Sequence, residues 1–181
     1  MTRALLIIDI QNDYFAGGAF PLVEPDAAAH VAGALLRSFR EAAEPVVHIF
    51  HVSTDANATF FVPGTDGIRI HDLVAPQEHE VVLEKHEPNS FIGTGLAEVL
   101  ADDGIDELVI VGMMSSMCVD STTRAASELG LTVTVVHDGC AAPDLTFGET
   151  VVPGAVVHAS FMAALDGSFA TVVSSREFLA A

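Results

Sequence analysis

Short runs of β-branched and aliphatic residues recur along this chain. Each is followed by a longer stretch with helical spacing and a glycine or polar stop, and this alternation constrains the fold more than any other feature. Strands are expected at about 4–10, 45–52, 80–84, 107–112, 131–137 and 170–174, with helices near 25–43, 94–103, 119–129 and 150–165. The runs Leu5-Leu6-Ile7-Ile8 and Leu108-Val109-Ile110-Val111 are continuous rather than alternating, as in strands covered on both faces. The order predicts an α/β fold, a three-layer αβα sandwich around a mostly parallel six-stranded, Rossmann-like sheet. Gly104 and Gly130 each close a helical stretch before a strand, where glycine relieves the left-handed conformation at a helix end. The segment 53–79 breaks the rhythm with Pro63-Gly64-Thr65-Asp66-Gly67 and Pro76, and its Phe60-Phe61 pair suits a folded lid or interface. No repeat, low-complexity tract or boundary divides the chain, so residues 1–181 read as one domain.

Composition narrows the function. Of 181 residues, 25 are Asp or Glu and only 7 Lys or Arg, a net charge of −18, while 50% are hydrophobic, so the chain can bury a core and is no disordered acidic tail. The negative surplus repels phosphate backbones and anionic lipid, which excludes nucleic acid and acidic membrane surfaces as expected partners. Neither long apolar run approaches the ~20 residues of a membrane helix. The start Met1-Thr2-Arg3-Ala4 lacks signal-peptide architecture and two cysteines make no disulfide framework, so a cytoplasmic setting is expected.

In such a sheet, ligands bind beyond the carboxyl ends of the strands. Three polar residues are placed there: Asp9 in the apolar run before Gln11-Asn12-Asp13, Lys85 after Val81-Val82-Leu83-Glu84, and Cys118 shortly after the strand ending at Gly112. A buried carboxylate needs a partner, and the lysine can supply it. A cysteine opening a helix beside a cation is expected to have a depressed pKa. Each residue also has a plainer reading: a buried inert thiol, a turn-capping aspartate, a solvated strand terminus.

The chain resembles the isochorismatase-like cysteine hydrolase superfamily through three stretches: residues 4–14 (ALLIIDIQNDY), 82–91 (VLEKHEPNSF) with Thr94 and Leu96, and 109–124 (VIVGMMSSMCVDSTTR). The resemblance implies an Asp, Lys, Cys catalytic triad at Asp9, Lys85 and Cys118. It also implies a cis peptide at Met113-Met114 and an oxyanion hole from the backbone amides of Met114 and Cys118. Family members usually carry threonine three residues before the cysteine, where this chain has Ser115, which keeps the hydroxyl. Nicotinamidases of this superfamily hold a metal with an Asp and two His after the second strand; here His51 and Asp55 are one ligand short, so no metal and no cofactor is expected.

The implied activity is metal-independent hydrolysis of a C–N bond in a small amide through a Cys118 thioester. Vinyl-ether hydrolysis of the isochorismatase type and a non-catalytic binding protein on the same fold are the competing readings. Gln11, Phe15, Phe60, Phe61, Phe91 and Met117 are the candidate pocket residues, for a small-molecule substrate of low charge. Superfamily members often form homo-oligomers, so a dimer or tetramer is expected.

Overall fold

The computed structural model describes residues 2–180. In chain order the elements are β1 (Arg3–Ile8), α1 (Pro25–Glu41), β2 (Val46–His51), β3 (Val81–Lys85), α2 (Leu96–Asp102), β4 (Glu107–Met113), a π-helical turn (Ser115–Val119), α3 (Asp120–Glu128), β5 (Thr132–Ala141), β6 (Leu145–Phe147), β7 (Thr150–Val152), α4 (Gly154–Leu165), β8 (Thr171–Val173) and α5 (Ser175–Leu179). Six strands form one sheet in the order β3-β2-β1-β4-β5-β8. Every pairing in it is parallel. This is the α/β three-layer sandwich expected, with helices on both faces.

The continuous apolar strands are explained by those two faces. Leu5, Ile7, Val109 and Val111 pack on the Ala28, Ala32, Leu35 and Phe39 side of α1. Leu6, Ile8, Leu108 and Ile110 point the other way, onto Leu96 and Leu100 of α2, Ala126 of α3, and Met162 and Leu165 of α4. Because side chains alternate across a strand, a run buried on both faces has no polar position to spare. α1 begins with Pro25 at its first turn, where the missing N–H leaves no helical bond unmade.

The polypeptide departs from the expected helix at 150–165. Residues Thr150–Val152 pair with Leu145–Phe147 in a separate antiparallel ribbon. The helix starts only at Gly154, after Pro153, which cannot donate into a preceding turn. α5, absent from the sequence reading, is opened by a capping box in which Ser174 Oγ accepts from the Glu177 N–H and the Glu177 carboxylate accepts from the Ser174 N–H.

β1 and β4 are neighbours, and the chain leaves them toward opposite edges of the sheet. The crevice beyond their carboxyl ends is therefore the topological switch point. Ile8 is in register with Gly112, whose φ of 141° and closeness to the Ile8 backbone leave no room for a Cβ. Among the described residues no helix is long and apolar enough to cross a membrane.

Candidate active site

Three strand ends deliver the central residues. Asp9 follows β1 in a left-handed conformation (φ 51°), and its N–H donates to the Ile49 carbonyl, fixing where its side chain leaves the sheet. Lys85 is the last residue of β3, in register with His51 at the end of β2. Cys118 lies in the π-helical turn between β4 and α3, after a cis peptide bond joining Met113 and Met114. The Met114 carbonyl accepts from the N–H groups of Met117 and Val119, which closes the turn.

These side chains meet around the lysine ammonium. Lys85 Nζ lies 2.8 Å from Asp9 Oδ2, with both side chains fully buried. It donates to Cys118 Sγ at 3.2 Å and to the Glu87 carbonyl at 3.0 Å. It also contacts His51 Nδ1 at 3.0 Å. The Asp9 contact is ionic rather than an aligned hydrogen bond, since neither Asp9 oxygen has a well-oriented donor. A capping aspartate would be saturated by backbone amides; Asp9 keeps its oxygens for the lysine and the thiol.

The electrostatics follow from burial. Desolvation raises the Asp9 carboxyl above its ordinary value, and Lys85 only partly offsets this. Burial alone would lower Lys85, but the Asp9 charge and the Cys118 sulfur outweigh it and raise the ammonium. Burial pushes the Cys118 thiol well up, Asp9 adds to this, and Lys85 opposes it. The depressed thiol expected from the sequence is thus corrected: Cys118 is buried inside a π-helical turn, and desolvation exceeds the help of one cation. Cys118 thus rests as a thiol beside the Lys85 ammonium, and the Asp9 carboxyl is more basic than an exposed one.

His51 is the residue that sequence reasoning undervalued, weighing it only as a metal ligand. Its ring stacks on Phe61 at 5.6 Å, and its backbone is held by Gln11, whose Nε2 donates to the His51 carbonyl and whose Oε1 accepts from the His51 N–H. The signal available was its position at the end of a strand beside the one ending in Lys85. Tyr14 also belongs here: burial, followed by Cys118 and Asp9, pushes its phenol well above its ordinary value, and its ring packs on Phe61 at 4.8 Å.

The candidate pocket residues divide. Gln11 is fully buried and spends its amide on the His51 backbone and the Ile68 carbonyl, tying the 53–79 segment to the end of β1. Phe61 lies beside His51, and Phe60 packs on Phe61 and Phe20. The segment is anchored again by Asp13, whose carboxylate accepts from the N–H groups of Phe61 and Ala19. Phe15 stacks on His71 at 3.9 Å and lines a different cleft with Asn12 and Gly17. Phe91 sits on the opposite face, in a cleft of about 230 Å³ with Leu100 and Leu129. Met117, adjoining Cys118, is 45% exposed. Ser115 keeps the hydroxyl role, donating to the Ala141 carbonyl at 3.1 Å and lying 2.8 Å from His158 Nδ1.

Asp9, His51 and Cys118 bring potential ligand atoms within 4.8 Å of one another, the one such group among the described residues. Lys85 Nζ stands within hydrogen-bonding range of the same three side chains, so a resident metal ion would face an ammonium at contact distance. Asp55 is exposed and accepts from the Asn57 N–H. The donor set does not fit a metal of the nicotinamidase kind.

The isochorismatase domain profile matches residues 3–177. The chain belongs to the isochorismatase family. This family member is 48% identical over 179 residues to the uncharacterized isochorismatase family protein YddQ of Bacillus subtilis (strain 168), covering 99% of each chain. It is 31% identical over 150 residues to the maleamate amidohydrolase of Pseudomonas putida, covering 75% of this chain and 70% of that one. Among solved structures, an isochorismatase hydrolase from Oleispira antarctica superposes with a TM-score of 0.95 at 51% identity, covering 99% and 97% of the two chains. Isochorismatase-family proteins are hydrolases, and this chain shares their fold over nearly its full length.

Proposed function

We propose that this hydrolase cleaves the C–N bond of a small amide through a thioester on Cys118. The observation that carries the reading is the placement of one buried ammonium, Lys85, against both the Asp9 carboxylate (2.8 Å) and the Cys118 sulfur (3.2 Å). A sulfur, a base and a cation at such distances suit nucleophilic catalysis. The similarity to an amidohydrolase supports the choice of bond.

The Asp9 carboxylate takes the thiol proton as Cys118 Sγ bonds to the amide carbon. Concerted transfer avoids a free thiolate, which burial disfavours. Lys85 holds the two negative centres in register. The amides of Met114 and Cys118 receive the oxyanion. Collapse of the tetrahedral intermediate breaks the C–N bond, and protonated Asp9 passes its proton to the leaving nitrogen. Asp9, again a carboxylate, then deprotonates a water that attacks the thioester. Its proton returns to sulfur and the carboxylic acid leaves.

The test is a panel of small primary and secondary amides, with isochorismate alongside, read by amine release and by intact mass. An acyl adduct on Cys118 and loss of turnover in Cys118→Ala are expected. Turnover of isochorismate alone, undiminished in Cys118→Ala, would replace amide cleavage with vinyl-ether hydrolysis.

A further inference from the structure

The tautomer of His51 follows from its neighbour. The Lys85 ammonium donates separately to the Glu87 carbonyl at 3.0 Å, to His51 Nδ1 at 3.0 Å and to Cys118 Sγ at 3.2 Å. An ammonium has protons to give and no lone pair to offer, so Nδ1 is the bare nitrogen of the ring. Burial, with Lys85 and His86 adding to it, lowers the imidazole to about 4, and at neutral pH it is uncharged. Its single proton therefore sits on Nε2.

That N–H is the edge of the ring left open. Phe61 stacks on the imidazole at 5.6 Å, its own N–H held by the Asp13 carboxylate, and Gln11 pins the His51 backbone through both N–H and carbonyl. Among the described residues none accepts from Nε2. Unlike Nδ1 of His48, this nitrogen is not sealed away as a buried orphan, since His51 is only half-buried. A ring with one face covered, its backbone pinned and one nitrogen spent on an ammonium presents its remaining donor in a fixed direction.

We propose that His51 is a specificity-determining residue whose Nε2–H binds an uncharged oxygen acceptor on the acyl part of the substrate. The inference rests on the reading of Cys118 as the nucleophile toward an amide, and it names the class of amide. Because the leaving nitrogen has to meet Asp9, the acyl part is left to face His51. Reach sets where the acceptor stands. A His51 nitrogen, an Asp9 oxygen and Cys118 Sγ lie within 4.8 Å of one another. A carbonyl carbon about 3–3.5 Å from the attacking sulfur and an acceptor about 2.9 Å from the donor nitrogen place that acceptor about two or three bonds from the scissile carbonyl. Charge sets what it is. A neutral imidazole brings nothing to offset the desolvation of a carboxylate, and the net charge of −18 opposes the approach of an anion.

Two pairs of near-isosteric amides test this: methoxyacetamide against butanamide, and 3-methoxypropanamide against pentanamide. Each pair exchanges one ether oxygen for a methylene. In at least one pair kcat/KM should favour the ether by about tenfold, the worth of one hydrogen bond. His51→Leu has no donor and should bring that ratio to unity, mainly through the KM of the ether. His51→Gln, whose carbonyl can accept from Lys85 while its amide donates, should retain most of the preference. The ratio is taken within each variant, so any change in the chemistry of the lysine centre divides out. If His51→Leu does not fold, His51→Met takes its place.

A second measurement needs no turnover. Long-range 1H–15N NMR of Cys118→Ala should show His51 as the Nε2–H tautomer, and its Nε2 signal should move on addition of an ether amide and not of its methylene partner. An Nδ1–H tautomer, no shift with either ether, or an ether preference absent from the protein or unchanged in His51→Leu would overturn the proposal. The expected shift with no amide turned over would support it and count against amide hydrolysis alone.

Discussion

Gln11 and His51 are joined by a reciprocal pair of hydrogen bonds, Nε2 to carbonyl at 2.9 Å and N–H to Oε1 at 2.7 Å, across 40 residues of chain. A third bond carries the same amide to the Ile68 carbonyl. Replacing Gln11 with Leu removes all three and strands buried backbone groups, at a cost of about 3 kcal/mol. Urea denaturation should show that loss, with His51 no longer held against the lysine.

The buried Asp9 and Lys85 give a double-mutant signature. Lys85→Met leaves a carboxylate without its cation and should destabilise by ~3–5 kcal/mol. Asp9→Leu combined with Lys85→Met removes both charges and should be more stable than Lys85→Met alone. If the double variant were the less stable of the two, the ion pair would not be what makes the single change costly. Asp9→Asn should fold but lose ~10²–10⁴-fold in turnover of whichever amide serves as substrate.

Lys85→Arg preserves charge and tests shape. The ammonium is a compact charge with acceptors on several sides, and a planar guanidinium cannot reproduce those contacts. Turnover should fall by ~100-fold or more while circular dichroism stays that of a folded protein. Normal turnover would remove Lys85 from the reaction.

Acid sensitivity should arise partly away from the site. Glu80 bonds Arg40 twice at 2.7 Å and meets the buried ring of His48 at 2.9 Å. Burial would raise the Glu80 carboxyl, but Arg40, the Gln77 N–H and His48 outweigh it and lower it to about 2 from 4.5. The unfolded chain therefore binds this proton first on acidification. The stabilisation is full above about pH 4.5 and is lost as pH falls toward 2. His48, lowered by burial from 6.5, acts in the same sense from a higher starting pH. Denaturation midpoints followed between pH 7 and 3 should decline, and Glu80→Gln should flatten the lower part of that decline.

Gly112 should accept no side chain. Its φ of 141° and the closeness of the Ile8 backbone mean that Gly112→Ala must push β4 away from β1 beside the turn that carries Cys118. A loss of about 4 kcal/mol or more is expected, measurable as aggregation or a collapsed thermal midpoint.

The sheet was legible because buried parallel strands write themselves as unbroken apolar runs, as Leu5–Ile8 and Leu108–Val111 do. The ribbon at 145–152 was not, since Thr150-Val151-Val152 runs straight into a helix and only Pro153 marks the break. α5 carried a readable signal in Ser174-Ser175-Arg176-Glu177, a capping box too short in its following helix to stand out. Asp9, Lys85 and Cys118 could be singled out because polar residues at apolar strand ends are conspicuous. Gln11 and His51 could not, because their significance lies in pairing across the sheet. The depth of burial around Cys118, which reverses the expected acidity of its thiol, is likewise a property of packing.

Lys85 is the only lysine of the 181 residues and is 1% exposed. In the folded state this protein consequently offers acylating reagents no accessible ε-amine. Modification at Lys85 by an N-hydroxysuccinimide ester would report opening of the buried cluster it forms with Asp9 and Cys118, which turns an ordinary surface-labelling reagent into a clock for that opening.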